Sequence, residues 1–175
     1  MKYCANCGAR VERRVPPGDS LPRDVCEACG TIHYQNPKLV VGTVPLWEDR
    51  VLLCRRAIEP RYGYWTLPAG FMENDETASD AAMRETLEEA GARIALEPPF
   101  SMISVPRVNQ VHLFYRARLL DLEFRPGAES LEVALFEENA IPWSQIAFRT
   151  VGLTLKHWFA DRSRGSYGFH AEELR

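Results

Sequence analysis

LPAGFMENDETASDAAMRETLEEAGA, residues 67–92, is the stretch on which the rest of the chain turns. Its second half reads as a helix that Thr77 caps with Asp80 three positions on, and that Gly91 closes in the left-handed conformation. A rotation of roughly 100° per residue places Met83, Thr86, Leu87 and Ala90 on one side, the side expected to be buried. Glu85, Glu88 and Glu89 then gather on the opposite face.

Upstream, Glu73, Asp75 and Glu76 add to the surplus of acid, and Arg84 is the only basic residue of the stretch. Like charges three and four residues apart each cost an isolated helix a few tenths of a kcal/mol, so the pattern calls for a compensating partner. A solvated acidic face is the plainer reading of a glutamate-rich helix. A bound hard cation is the other, because Mg²⁺ takes oxygen ligands from one or two carboxylates plus water and substrate phosphate.

The spacing around the helix separates the two. Gly70 is followed after five residues by Glu76, and after seven more by Arg84-Glu85-Thr86-Leu87-Glu88-Glu89-Ala90-Gly91-Ala92. This resembles the signature of the Nudix hydrolases at every position that is not aliphatic. Thr86 and Ala92 stand where that signature carries larger aliphatic residues, and both are packing positions. The resemblance implies an α/β fold, the Nudix α/β/α sandwich with a mixed sheet. It further implies that Glu85, Glu88 and Glu89, with the backbone carbonyl of Gly70, hold Mg²⁺ or Mn²⁺. Arg84 would orient the glutamates, Glu76 would hold the loop, and Glu129, ahead of Glu132, would serve as an additional ligand or general base.

Composition sets the wider frame. Hydrophobic residues at 46% and charged residues at 26% are those of an ordinary globular chain long enough for one well-buried domain and a small appendage. A net charge of -3 argues against nonspecific nucleic-acid binding as the main activity. No run approaches the roughly 18 apolar residues of a membrane span, and MKYCANCGAR has no apolar run behind Lys2. A cytoplasmic setting is therefore expected.

Residues 1–34 are expected to form a unit of their own, ahead of a Nudix domain over residues 35–175. Cys4 and Cys7 make one Cys-x-x-Cys knuckle and Cys26 and Cys29 another, each followed by glycine. Two such pairs suit a tetrahedral Zn²⁺ site, a four-cysteine zinc ribbon. Residues 9–25 are too polar and proline-rich to build a core, so metal would supply much of the folding energy. Two disulfides are the alternative, disfavoured inside a cell. Arg10, Arg13, Arg14 and Arg23 are offset by Glu12, Asp19, Asp24 and Glu27, which favours a structural ribbon over one that binds nucleic acid. With four cysteines present, His33 reads as a surface or packing residue, and Cys54, in an apolar run, as a buried thiol.

Beyond Pro37 the pattern turns to strands. LVVGTVPLW, a polar turn at Glu48-Asp49-Arg50, and VLLCRR read as a hairpin. Arg55 and Arg56 at its end suit phosphate recognition, with plain surface charge as the alternative. Tyr62 and Tyr64 are candidates to stack on a base or flavin ring, while Trp65 reads as a core anchor. Val111–Leu119 and LEVALF read as further strands, and a final helix over about 149–161 buries Val151, Leu155, Trp158 and Phe159. The tail from Ser163 carries no clear pattern.

A four-cysteine ribbon ahead of a Nudix domain resembles the NADH pyrophosphatase branch. The segment like SQPWPFPxS that marks nicotinamide substrates does not occur between Ala92 and Arg175. The chain is more similar to the plant chloroplast Nudix enzymes that act on FAD and ADP-ribose, through YQNPKLVVG, VLLCRR, WTLPAGFME, MRETLEEAGA, PGAESLE and AF at 147–148. The resemblance implies hydrolysis of a phosphoanhydride in a small nucleotide, release of AMP and a second phosphomonoester, and a homodimer. Two rival readings stand against it. A nucleotide-sensing regulator would commonly have lost a catalytic glutamate, and all are present. Removal of an RNA cap needs a basic track that this acidic chain does not advertise.

Overall fold

A computed structural model describes residues 1–175, which divide into two compact units, Met1–Asn36 and Pro37–Arg175. The first is a three-stranded antiparallel sheet of β1 (Val11–Arg14), β2 (Arg23–Cys26) and β3 (Ile32–His33), in that order. Its interior consists of little more than Cys4, Val25 and Cys26. Each knuckle closes on a glycine with positive φ, Gly8 at 73° and Gly30 at 71°, whose N–H reaches back to the carbonyl of Cys4 or Cys26. A side chain there would be strained, which explains the glycine after each cysteine pair.

The second unit is an eight-stranded mixed sheet. Its strands are β4 (Lys38–Trp47), β5 (Arg50–Arg56), β6 (Trp65–Thr66), β7 (Ala69–Phe71), β8 (Ile94–Val105), β9 (Gln110–Leu119), β10 (Ser130–Phe136) and β11 (His170–Glu173). The order β10-β5-β4-β9-β8-β11 carries β7 on β4 and β6 on β5. At the centre β4 runs parallel to β9, from Lys38 opposite Gln110 to Leu46 opposite Arg118. The polar turn between β4 and β5 makes the expected hairpin. Pro98 and Pro99 lie inside β8, where the register against β9 shifts and the lost N–H donors are tolerated.

Strand alternation gives the sheet two apolar faces. Val44, Val51, Leu53 and Phe114 pack with Val151, Leu155, Trp158 and Phe159 of α2 (Arg149–Arg164). Leu52 and Cys54 pack with Ala90, and Val41 with Ala81 and Ala82, all three alanines on α1 (Ala78–Ala90). Helices therefore cover opposite faces, as the α/β/α expectation requires. Trp65 and Cys54 are both buried. Helix α1 has the expected capping box of Thr77 with Asp80 and the left-handed Gly91.

Two expectations need correction. Met83 and Leu87 are exposed, and the face of α1 turned inward is Ala81, Ala82, Glu85, Thr86, Glu89 and Ala90. Small side chains let this helix sit close to the sheet, and two carboxylates go in with them. Thr86 is accommodated because its hydroxyl donates to the Ala82 carbonyl at 2.8 Å and meets Thr43 Oγ1 of β4 at 2.7 Å. The unpatterned tail, in turn, contains β11, which pairs parallel to β8 through His170–Glu173 and Ser101–Ser104.

Asp161, 1% exposed near the end of α2, ties that tail down. Burial pushes its carboxyl upward, but hydrogen bonds from His170, the Gly168 N–H and Arg164 outweigh burial and hold it at about 2 against an ordinary 3.8. A depressed carboxyl contributes stability that is present above the unfolded value and lost as pH falls through the folded one. Asp161→Asn should accordingly cost on the order of 2 kcal/mol at pH 7, with the gap from the parent chain closing between about pH 4 and pH 2. Denaturant melts across that range check it; a gap that persists at pH 2 would assign the loss to packing instead.

Candidate active site

Glu85 and Glu89 are turned under α1 toward β7. The Glu89 carboxylate accepts the Ala69 N–H at 3.0 Å, and the Glu85 carboxylate lies so close to Gly70 that a Cβ added there would meet it at 2.3 Å. Burial raises both carboxyls, that of Glu89 to about 8. Glu88 stays exposed on the rim. Arg84 stands among them: it donates to Glu85 at 2.7 Å, to Glu88 at 3.1 Å, to both oxygens of Glu76 at 2.8 and 3.0 Å, and to the Phe71 carbonyl at 3.2 Å. Glu76 also accepts the Glu73 N–H at 2.6 Å, which fixes the loop ahead of the helix.

One guanidinium thus serves three glutamates while Glu89 is left with no cation in ion-pair contact. Hard oxygens in carboxylate surplus, two of them taken out of water, are what a divalent cation such as Mg²⁺ binds, so these residues fit the metal their spacing suggested. The carboxylates are not drawn into a tight cluster, because like charges repel and Arg84 occupies the space between them.

The carboxylates form one wall of an open cavity of about 1120 Å³, beyond the roughly 300–1,000 Å³ usual for small-molecule sites. Gly70, Glu85, Glu88, Glu89, Arg84, Glu129 and Arg56 line it. Arg55, Tyr62 and Tyr64 do not. Successive side chains of β5 point to opposite faces, so Arg55 goes outward to Glu132 and the Gly63 carbonyl when Arg56 goes inward. The tyrosines are exposed on the loop beyond.

The wall facing the carboxylates was not read from the sequence. It includes Arg107, Arg149, His112, Phe114 and Phe148. His112 is fixed between Thr150 Oγ1 at 3.0 Å and Gln110 Oε1 at 3.0 Å, and its burial lowers its pKa, which keeps the ring neutral. Arg56, Arg61, Arg107 and Arg149 all line the cavity and none makes an ion pair. Arg84, on the same lining, is the one paired with the glutamates.

In the first unit the four cysteine sulfurs lie within 4.8 Å of one another, the one His/Cys/Asp/Glu group in the chain so closely gathered. Cys4–Cys29 and Cys7–Cys26 separations of 3.8 and 3.5 Å compare with about 3.8 Å between the corners of a tetrahedron of 2.3 Å zinc–sulfur bonds. No disulfide is formed. The sulfurs fit a zinc ion. His33 Nε2 lies 3.2 Å from Cys4 Sγ, placed to support a ligand through a hydrogen bond.

Comparison with known proteins agrees with both units. The family described as "Nudix N-terminal" matches residues 2–35, and the NUDIX domain family matches residues 36–153. The chain belongs to the Nudix family. A Nudix hydrolase of known crystal structure from Nitrosomonas europaea is 53% identical, with 99% of each chain covered and a TM-score of 0.96. An ADP-ribose pyrophosphatase of Methanocaldococcus jannaschii is 29% identical over 113 residues, 62% of this chain and 67% of the relative. An NAD-capped RNA hydrolase of Pseudomonas aeruginosa is 29% identical over 146 residues, 81% of this chain but 49% of the relative. The chain thus spans about half the length of such Nudix relatives. None of its helices is long and apolar enough to cross a membrane.

The ribbon's small interior makes it dependent on its metal. Protein purified without chelator should carry one zinc per chain by elemental analysis. Cys26→Ser should release it and raise amide exchange throughout residues 1–36, while the transition of the second unit keeps its midpoint, since that unit has its own core. Absence of zinc in the parent chain would contradict this.

Proposed function

We propose that this chain is a divalent-metal-dependent pyrophosphohydrolase that cleaves the phosphoanhydride of ADP-ribose, FAD or a related nucleoside diphosphate derivative, releasing AMP and a second phosphomonoester. The observation that carries the proposal is the charge arrangement of one cavity, with the buried carboxylates of α1 on one wall and unpaired arginines on the wall facing them. A diphosphate esterified at both ends bridges two such walls. The similarity to an ADP-ribose pyrophosphatase supports the same class.

Glu85, Glu88 and Glu89, with Gly70, would hold Mg²⁺ or Mn²⁺, which when bound lowers the pKa of water and neutralises charge on the phosphoryl oxygens. Arg84 keeps Glu85 and Glu88 aimed at the cavity and sets them against the Glu76 loop. Glu129, a carboxylate of the lining that makes no ion pair, would take the proton of the attacking water. Water oxygen bonds to one phosphorus as the bridging P–O bond breaks, and the other phosphate departs with the bridging oxygen. Arg56, Arg107 and Arg149 offset negative charge on the diphosphate. Phe148 offers a ring face for the base or flavin in place of the distant tyrosines.

NADH is the second reading, favoured by similarity to NAD-capped RNA hydrolases over 81% of the chain. Zinc as the ribbon's metal, a cytoplasmic setting and, on family resemblance alone, a homodimer complete the proposal.

Hydrolysis of ADP-ribose, FAD, NADH and nucleoside triphosphates with Mg²⁺ or Mn²⁺ tests the assignment. ADP-ribose or FAD should yield AMP, and triphosphates should be poorer; turnover of triphosphates alone would refute the substrate class. Glu89→Gln should lower kcat by orders of magnitude and leave the metal-free Tm no lower, because glutamine still accepts the Ala69 N–H while a desolvated charge is removed. Near-normal turnover in that variant would remove Glu89 from the site.

A further inference from the structure

The amino end of α2 opens into the cavity without a cap. Its N-cap is Phe148, no side chain caps it, and its first turn contains no acidic residue. Thr150, which might have accepted a backbone N–H, is engaged by His112 instead. The first bond of the helix runs from the Gly152 N–H to the Phe148 carbonyl at 3.1 Å, which leaves the N–H groups of Arg149, Thr150 and Val151 without protein acceptors. Arg149 sits at the first helical position, where a cation opposes the helix dipole.

Arg56 approaches the same place from β5. It is 8% exposed, its guanidinium carbon lies 5.1 Å from the centroid of the Phe148 ring, and its Nε donates to the Pro60 carbonyl at 2.9 Å. Its two terminal nitrogens donate to no protein group and it makes no ion pair, although it lines the cavity with Phe148, Arg149 and Thr150. A buried guanidinium, an exposed one and a positive helix end converge with no carboxylate in ion-pair contact, Glu89 acting on Arg56 only from a distance. Such an arrangement is unfavourable until an anion arrives.

We propose that Arg56, Arg149 and the N-terminus of α2 form a phosphate subsite that works without divalent metal and holds one phosphate of the diphosphate at the amino end of α2. The inference rests on reading this cavity as the phosphate-handling site, and it divides the labour within it. One phosphate of the diphosphate is gripped by fixed protein charge, and the other is left to the metal. A phosphomonoester product, bearing two negative charges, stays on this subsite after bond cleavage, so it competes with substrate even when metal is scarce.

Binding of inorganic phosphate to the full chain, measured calorimetrically in buffer freed of divalent ions by a chelating resin and with the ribbon's metal retained, tests it. The parent chain should bind phosphate, and Arg56→Gln and Arg149→Glu should each weaken binding by about tenfold or more. Arg149 is exposed, and a glutamate at the first helical position favours the helix, so Arg149→Glu reports on the subsite without loss of folding. Arg118→Gln, at an exposed arginine outside the cavity, should bind phosphate like the parent chain. Phosphate binding that requires Mg²⁺, or that survives both arginine substitutions, overturns the subsite. If the parent chain binds phosphate in this way yet hydrolyses no substrate, the subsite stands and the hydrolase reading falls.

Discussion

The close seating of α1 on the short strand β7 is the constraint from which the rest of the second unit follows. The helix turns alanines and a threonine toward the sheet, so its backbone comes near enough for the Glu85 carboxylate to press against Gly70 and for Glu89 to take the Ala69 N–H. The same closeness recurs one layer deeper. A Cβ on Gly42 of β4 would meet Ala69 Cβ at 2.4 Å, and one on Gly127 would meet the Glu88 carbonyl at 1.7 Å. Bulk added at Gly42 or Gly127 would meet backbone, and at Gly70 it would push against the Glu85 carboxylate itself. The acidic wall is accordingly held by close packing as much as by hydrogen bonds.

Burying carboxylates is costly, and the chain tolerates it by placing compensation on separate elements. Arg84, from the same helix, offsets part of the charge. Arg56 acts on Glu89 from across the cavity without touching it. What is left uncompensated is the condition that invites a cation on one wall and an anion on the other. The polarity of the site arises because the arginines come from β5, the turn before β9 and α2, whereas the carboxylates come from α1.

Much of this was legible in the sequence because it lies in short-range spacing. The frame from Gly70 to Gly91, the capping box, the hairpin turn and the two Cys-x-x-Cys pairs are all set within a few residues of chain. The buried face of α1 was misread because periodicity ranks residues by hydrophobicity, which favours Met83 and Leu87, whereas a helix pressed this closely to a sheet selects for small size. Strand β11 was missed because HAEE carries no apolar alternation; it forms through a parallel neighbour and the Asp161 anchor. Of the basic wall only Arg56 was legible, as a phosphate contact, and the rest was hidden for a third reason. Arg56, Arg107 and Arg149 come from distant parts of the chain, and only the folded sheet brings them together.

The parallel pairing of β4 with β9 has a kinetic meaning. Residues 38–46 meet residues 110–118 only after the intervening chain, which carries the acidic loop and α1, has been closed into a loop. Closure entropy must be spent before these contacts repay it, so the central pair is a late and slow event compared with the hairpin of β4 and β5. Helix α1 lies within that closing loop. Arg56 can take its place with the early hairpin, but Arg107 and His112 join the carboxylates only when β9 docks, so the cavity is complete only once the sheet is.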